Sequence, residues 1–169
     1  MSFRHVLGVL ENGEDALVSV LTGAVRLAEI ERARLTLAKT TDPGRVIRWL
    51  RPCAALSMVT PMAELVSAEA DLEEMAGHRL ARAAEFVPAS IPVTTIVLGP
   101  DTARALRALL GSGTYDVMVA TAALLARSPR LGRELRRLGV SVLALADSPA
   151  QPEDVSEVPA RAPRPAPQA

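Results

Sequence analysis

The stretch Thr114–Ala146, TYDVMVATAALLARSPRLGRELRRLGVSVLALA, reads as strand, loop, helix, strand. Tyr115–Thr121 is a short, valine-rich apolar run between Gly113 and small residues, the pattern of a strand buried on both faces. Ser128-Pro129 marks a helix start, because Ser can cap free N–H groups and Pro tolerates a position whose N–H would be unpaired. Leu131, Leu135 and Leu138 follow at helical spacing, Gly139 ends the helix, and Val140–Leu145 is a second strand. Parallel strands joined by a helical crossover form a βαβ unit, and any ligand is expected at the loop Ala120–Ser128, beyond the carboxyl end of the first strand.

Working outward, Gly99-Pro100-Asp101 leads into a helix capped by Asp101, with Ala105, Leu106, Leu109 and Leu110 on its apolar face. Val93–Leu98 before it is β-prone. A longer helical period runs from Thr60-Pro61 to about Phe86, through Leu65, Val66, Leu72, Met75, Ala76, Leu80, Ala83 and Ala84, with Gly77 inside it. At the other end, Arg4–Leu10 is a strand broken by Glu11-Asn12-Gly13. A helix follows, with Leu17, Val20, Leu21, Ala24, Leu27 and Ala28 on one face, and Arg34–Thr40 is the next strand. Arg45–Thr60 reads as a connection with some helix, Trp49 as a packing residue and Cys53 as a buried inert thiol. Five strands alternate with four helices, an α/β sandwich around a parallel sheet. The domain is expected over residues 1–147. Residues 148–169, rich in Pro and Ala, read as a solvated, disordered tail in which APRPAP has polyproline character.

Composition narrows the function classes. Hydrophobic residues make up 49% and aromatics 2%, so the core is aliphatic. Formal net charge is zero, which is no signature of nucleic-acid binding. One cysteine excludes an intrachain disulfide and a multi-cysteine zinc cluster. His5 and His78 have no carboxylate or thiol partner at metal-ligand spacing, so no metal site is expected. No apolar run is long enough for a membrane span, the opening MSFRHVLGVL does not read as a secretory signal, and the expected location is cytoplasmic. Lys39 is the only lysine among many arginines, read here as composition bias.

The ordered whole resembles the universal stress proteins. HVLGVLENGEDALVSVLTGAVRLAEIERARLTLAKTTDPG is similar to the family's opening strand, helix and strand, and IPVTTIVLGPDTARALRALLGSGTYDVMVATAALL to its third strand, helix and fourth strand. GVSVLALA sits where the family has a short fifth strand. The resemblance covers about residues 3–146. It implies a Rossmann-like five-stranded parallel sheet in order 3-2-1-4-5 with two helices on each face. Members that bind ATP carry glycine-x-x-glycine, nine residues, then glycine-serine/threonine after strand four, where glycines let backbone approach phosphate closely. Here the first two glycine positions fall on Ala120 and Ala123, and the later pair on Arg133-Glu134 or Gly132-Arg133, so the nucleotide-binding motif is degenerate. The acid after strand one, aspartate in many ATP binders, is Glu11. Tight ATP binding is not expected, and the chain is closer to the family branch that binds no nucleotide.

No nucleophile elbow, Walker loop or His/carboxylate cluster appears, and Ser128 has no base, so catalysis is not expected. A two-component receiver domain also has five parallel strands, but the lysine it needs after strand five is missing. The expected role is binding and association in a stress response, with no cofactor. The candidate ligand-binding residues are Glu11, Asn12, Ala120, Thr121, Ala123, Arg127, Ser128 and Arg130. The alternative is a sensor of nucleotide or phosphate anion: five arginines (Arg127, Arg130, Arg133, Arg136 and Arg137) face one glutamate, Glu134, and three of them, Arg130, Arg133 and Arg137, share a helix face. Strand five lies at a sheet edge and carries no Pro or charge to protect it, so a homodimer is expected through Val140, Val142, Leu143 and Leu145. The resemblance points the same way, since universal stress proteins commonly dimerise near this strand. No nucleic acid or membrane partner is expected.

Overall fold

The computed structural model describes residues 3–41, 61–99 and 101–146. The readings of Arg45–Thr60, Trp49, Cys53 and the tail, and the boundary at residue 147, lie outside the described residues. So do those of the Leu65 and Val66 side chains.

Five strands, β1 His5–Leu10, β2 Arg34–Thr40, β3 Val93–Leu98, β4 Val117–Thr121 and β5 Ser141–Leu145, form one all-parallel sheet in the order β3-β2-β1-β4-β5. β1 and β4 are apolar throughout because neighbouring strands and helices enclose them. Their side chains alternate between two cores. Val6, Leu10, Val117 and Val119 pack with Val20, Ala24 and Ala28 of helix α1 (Glu14–Glu31) and with Leu80 and Ala83 of α2 (Pro61–Glu85). Leu7, Val9, Met118 and Ala120 pack with Leu106 and Leu110 of α3 (Thr102–Gly111), Leu124 of α4 (Ala122–Arg127) and Leu131 and Leu135 of α5 (Pro129–Arg137). Asp101 caps α3 as expected, its Oδ1 accepting from the Arg104 N–H at 3.1 Å.

The parallel sheet, its order and its helices on both faces match the expectation, but four local readings change. First, the described residues contain five helices, not four, and Ala122–Arg127 is helix instead of loop. Its Ala, Leu and Arg residues are strong helix formers, and Thr121 caps it, Oγ1 accepting from the Leu124 N–H at 3.1 Å. Second, Ser128 makes no side-chain cap. It joins the end of α4 to the start of α5, and its carbonyl accepts from the Leu131 N–H at 2.9 Å. Third, β4 begins at Val117 and β5 at Ser141. The Asp116 carboxylate takes the N–H groups of Arg4 (2.7 Å) and His5 (3.0 Å), and the Val140 N–H goes back to Leu135 O at 3.0 Å. Fourth, His78 does have a carboxylate neighbour, Glu74 Oε1 at 3.5 Å one helical turn away.

Two glycines give opposite expectations. A Cβ on Gly8 in β1 meets Ala24 Cβ at 3.1 Å and Leu37 Cδ2 at 3.2 Å, whereas one on Gly77 in α2 meets nothing within 4 Å. Gly8→Val is expected to destabilise the fold by about 1–3 kcal/mol through overpacking. Gly77→Ala is expected to stabilise it by ~0.5–1 kcal/mol through helix propensity. Urea unfolding of the two variants beside the parent chain checks both signs.

Candidate ligand site

The strand order changes its direction of travel across the sheet between β1 and β4, and the carboxyl ends of those parallel strands frame the crevice where open α/β sheets take ligands. Glu11 follows β1 directly and is buried, 9% exposed. Both of its carboxylate oxygens are engaged: Oε1 accepts from Arg127 Nη2, and Oε2 from the hydroxyl of Thr121. The Glu11 backbone carbonyl accepts from Lys39 Nζ at the end of β2. Four chain segments thus meet at one carboxylate and the peptide behind it.

Local structure explains the meeting. α4 starts immediately at the end of β4, so Arg127 sits nearly two turns along it, and its Nε is steadied by Ala123 O at 3.3 Å. Its side chain remains 63% exposed, covering Glu11 from the solvent side. Thr121 has two duties, donating to Glu11 and capping α4.

The structure therefore brings Glu11, Thr121 and Arg127 together. Asn12 is exposed in the turn beside them. Ala120 is fully buried in β4, and Ala123 lies on α4, so neither stands in a phosphate-wrapping loop. Arg130, Arg133 and Arg137 are exposed on α5, on the side away from buried Leu131 and Leu135. At the sheet edge, Val142 and Leu143 are 36% and 40% exposed, while Val140 is buried and Leu145 packs towards Gly23 of α1.

Lys39 was missed by sequence reasoning. It is 1% exposed, the largest fully buried side chain described. The signal was available: the only lysine of the chain falls inside the strand RLTLAKT, where a composition-driven cation belongs on a helix surface. Burial, and next the nearby Arg79 guanidinium, lower its pKa from 10.5 to about 8, against the opposing pull of Glu11. His5 lies at the opposite end of the sheet, its Nε2 2.8 Å from Thr36 Oγ1 and its ring 4.5 Å from that of Tyr115. Burial, then Arg34, hold its pKa below 6.5. Among the described residues no group of three or more His, Cys, Asp and Glu side chains is placed to hold a metal ion, and no helix is long and apolar enough to cross a membrane.

The lowered pKa makes stability depend on alkaline pH. Below pH 8 both the folded and the unfolded chain hold the Lys39 proton, and the cost of burying the charge is present in full. Between pH 8 and 10.5 the unfolded chain holds more protons, so stability gains as pH rises. The expected gain from Lys39 is on the order of 1–3 kcal/mol. Urea unfolding at successive pH values should show this rise in the parent chain relative to Lys39→Met; two parallel curves count against the buried charge.

No protein-family model and no curated protein matches the chain. Solved structures do. A universal stress protein family member from Burkholderia pseudomallei is 21% identical, with 83% of this chain and 94% of that one covered, at a TM-score of 0.56. A universal stress protein solved in complex with cAMP is 18% identical over 88% of this chain and 100% of that one, at 0.50. The universal stress protein UspA from Lactobacillus plantarum is 14% identical over 86% and 99%, at 0.52. The resemblance read from the sequence holds in three dimensions, and the chain has the fold of the universal stress proteins.

Proposed function

We propose that the chain is a universal-stress-type protein of the stress response that works by binding and association, without catalysis and without ATP as a resident cofactor. The observation that carries this reading is the closure of the switch-point crevice by the chain's own side chains. Glu11 is committed to Arg127 and Thr121, so an incoming ribose or base hydroxyl must displace an ion pair to reach it. The helix that follows β4 at once, AALLAR, has no glycine through which a triphosphate could approach the backbone. Titration calorimetry with Mg-ATP is expected to show no saturable binding in the micromolar range; micromolar saturation, weakened by Glu11→Ala, overturns the reading. cAMP belongs in the same experiment, because one of the proteins of this fold was solved with it. The alternative, an anion sensor using the exposed arginines of α5, requires binding that weakens steeply with salt and is lost in Arg130→Ala with Arg133→Ala.

Association is assigned to β5 in a homodimer. This edge strand exposes Val142 and Leu143 and borders a concavity of about 710 Å³ that Leu125, Pro129 and Val142 help to line. An unpaired apolar edge is a template for another strand, and a two-fold copy of itself is self-complementary. Light scattering at high micromolar concentration is expected to give a dimer for the parent chain and a folded monomer for Val142→Pro with Leu143→Lys. A monomeric parent chain removes this part of the reading.

A further inference from the structure

A cavity lies on the other side of β1 from Arg127. It has a volume of about 320 Å³ and sits between the carboxyl ends of β1 and β2 and the middle of α2. Its described lining contains two cationic side chains, Lys39 and Arg79, and no acidic one. Leu72 and Met75 of α2 supply an apolar wall, and Asn12 and Thr41 add polar groups. Lys39 is almost wholly enclosed, and the Glu11 carbonyl takes one of the three hydrogens its ammonium can donate. The nearest negative charge, the Glu11 carboxylate, is already shared between Arg127 and Thr121. Two like charges brought together in a half-apolar cavity repel each other, and a dianion between them would turn that repulsion into attraction.

We propose that this cavity is a binding site for a small phosphate monoester, its dianionic head held between the Lys39 ammonium and the Arg79 guanidinium and its short organic body against Leu72 and Met75. A phosphate monoester is close to a dianion at neutral pH, which matches two cations where a carboxylate matches one. The cavity lies at the low end of the volumes that hold small ligands, enough for a phosphate with a single ring or short chain but not for a nucleoside triphosphate. The inference rests on the reading of the chain as a binding protein and names a ligand class for it, through residues other than those that close the switch point.

Burial and Arg79 on α2 work against the charge of Lys39, and Glu11 at the end of β1, itself paired with Arg127 on α4, works for it. A bound dianion holds the ammonium protonated, so binding above pH 8 takes up a proton and weakens as pH rises. The probes are phenyl phosphate, inorganic phosphate and benzoate, titrated calorimetrically into the full chain. Phenyl phosphate is expected to saturate one site, inorganic phosphate to bind it more weakly, and benzoate more weakly still. Affinity for phenyl phosphate should fall roughly tenfold between about pH 7 and 9 as the free-state ammonium is lost. Lys39→Met should cost roughly thirtyfold or more, as loss of a buried charge partner does. Arg79→Ala, at an exposed position that leaves the core intact, should weaken binding several-fold. If Lys39→Met does not fold, Arg79→Ala and the pH profile decide alone. No saturation at millimolar phenyl phosphate, an unaffected Arg79→Ala, a flat pH profile or equal binding of benzoate each overturns the proposal. Micromolar Mg-ATP binding through Glu11, by contrast, overturns the closed-crevice reading and leaves this cavity standing.

Discussion

A strand with partners on both edges and helices over both faces meets water only at its ends. β1 is such a strand: its apolar residues Val6, Leu7, Val9 and Leu10 have no exposed surface at all. That enclosure forces everything polar in the middle of the sheet to the carboxyl ends of β1, β2 and β4, and it forces those polar groups to find one another, because an unpaired charge beside a dry core is costly. Glu11, Thr121, Lys39 and Arg127 meet for that reason. The hydrogen bonds among them are the terms on which a desolvated end of the sheet is tolerated, and they decide what space is left for a ligand.

The same enclosure explains what the sequence disclosed. Strands buried on both faces must be unbroken apolar runs, so VLGVL and VMVAT announced themselves, and the alternation of strands with helices pointed to a parallel sheet, whereas the order of its strands came from the family resemblance. Side-chain meetings across the sheet were less legible. Glu11 and Arg127 are more than a hundred residues apart, and no periodicity couples them. Ala120–Ser128 reads as a loop because Ser128-Pro129 carries the start signal of the next helix; AALLAR is helix-forming in its own right, and Thr121 caps it. Lys39 was passed over because its rarity was credited to composition, although a lone lysine within a strand flanked by others has to be buried or paired.

These two corrections move the positive charge of the site. With only the sequence in view, the cations of interest are the arginines after β4, five of them close together. In the structure Arg127 is matched by Glu11, and Arg130, Arg133 and Arg137 stand in solvent, where water and salt screen them. Lys39 is neither in solvent nor matched in full. Its burial and its neighbour Arg79 both work against its charge, and only Glu11 works for it.

An unmatched buried cation is unfavourable for folding and favourable for binding, for the same physical reason. Removing a charge from water raises its free energy, and any anion that reaches it inside the protein meets a field that water no longer weakens. The exposed arginines of α5 present the opposite case: they cost the fold little and offer a ligand little. The density of arginine in the sequence is therefore a poor guide to where an anion would be held. The better guide is Lys39, the one cation among the described residues that the fold encloses, next to a cavity with two cations and no acid in its described lining.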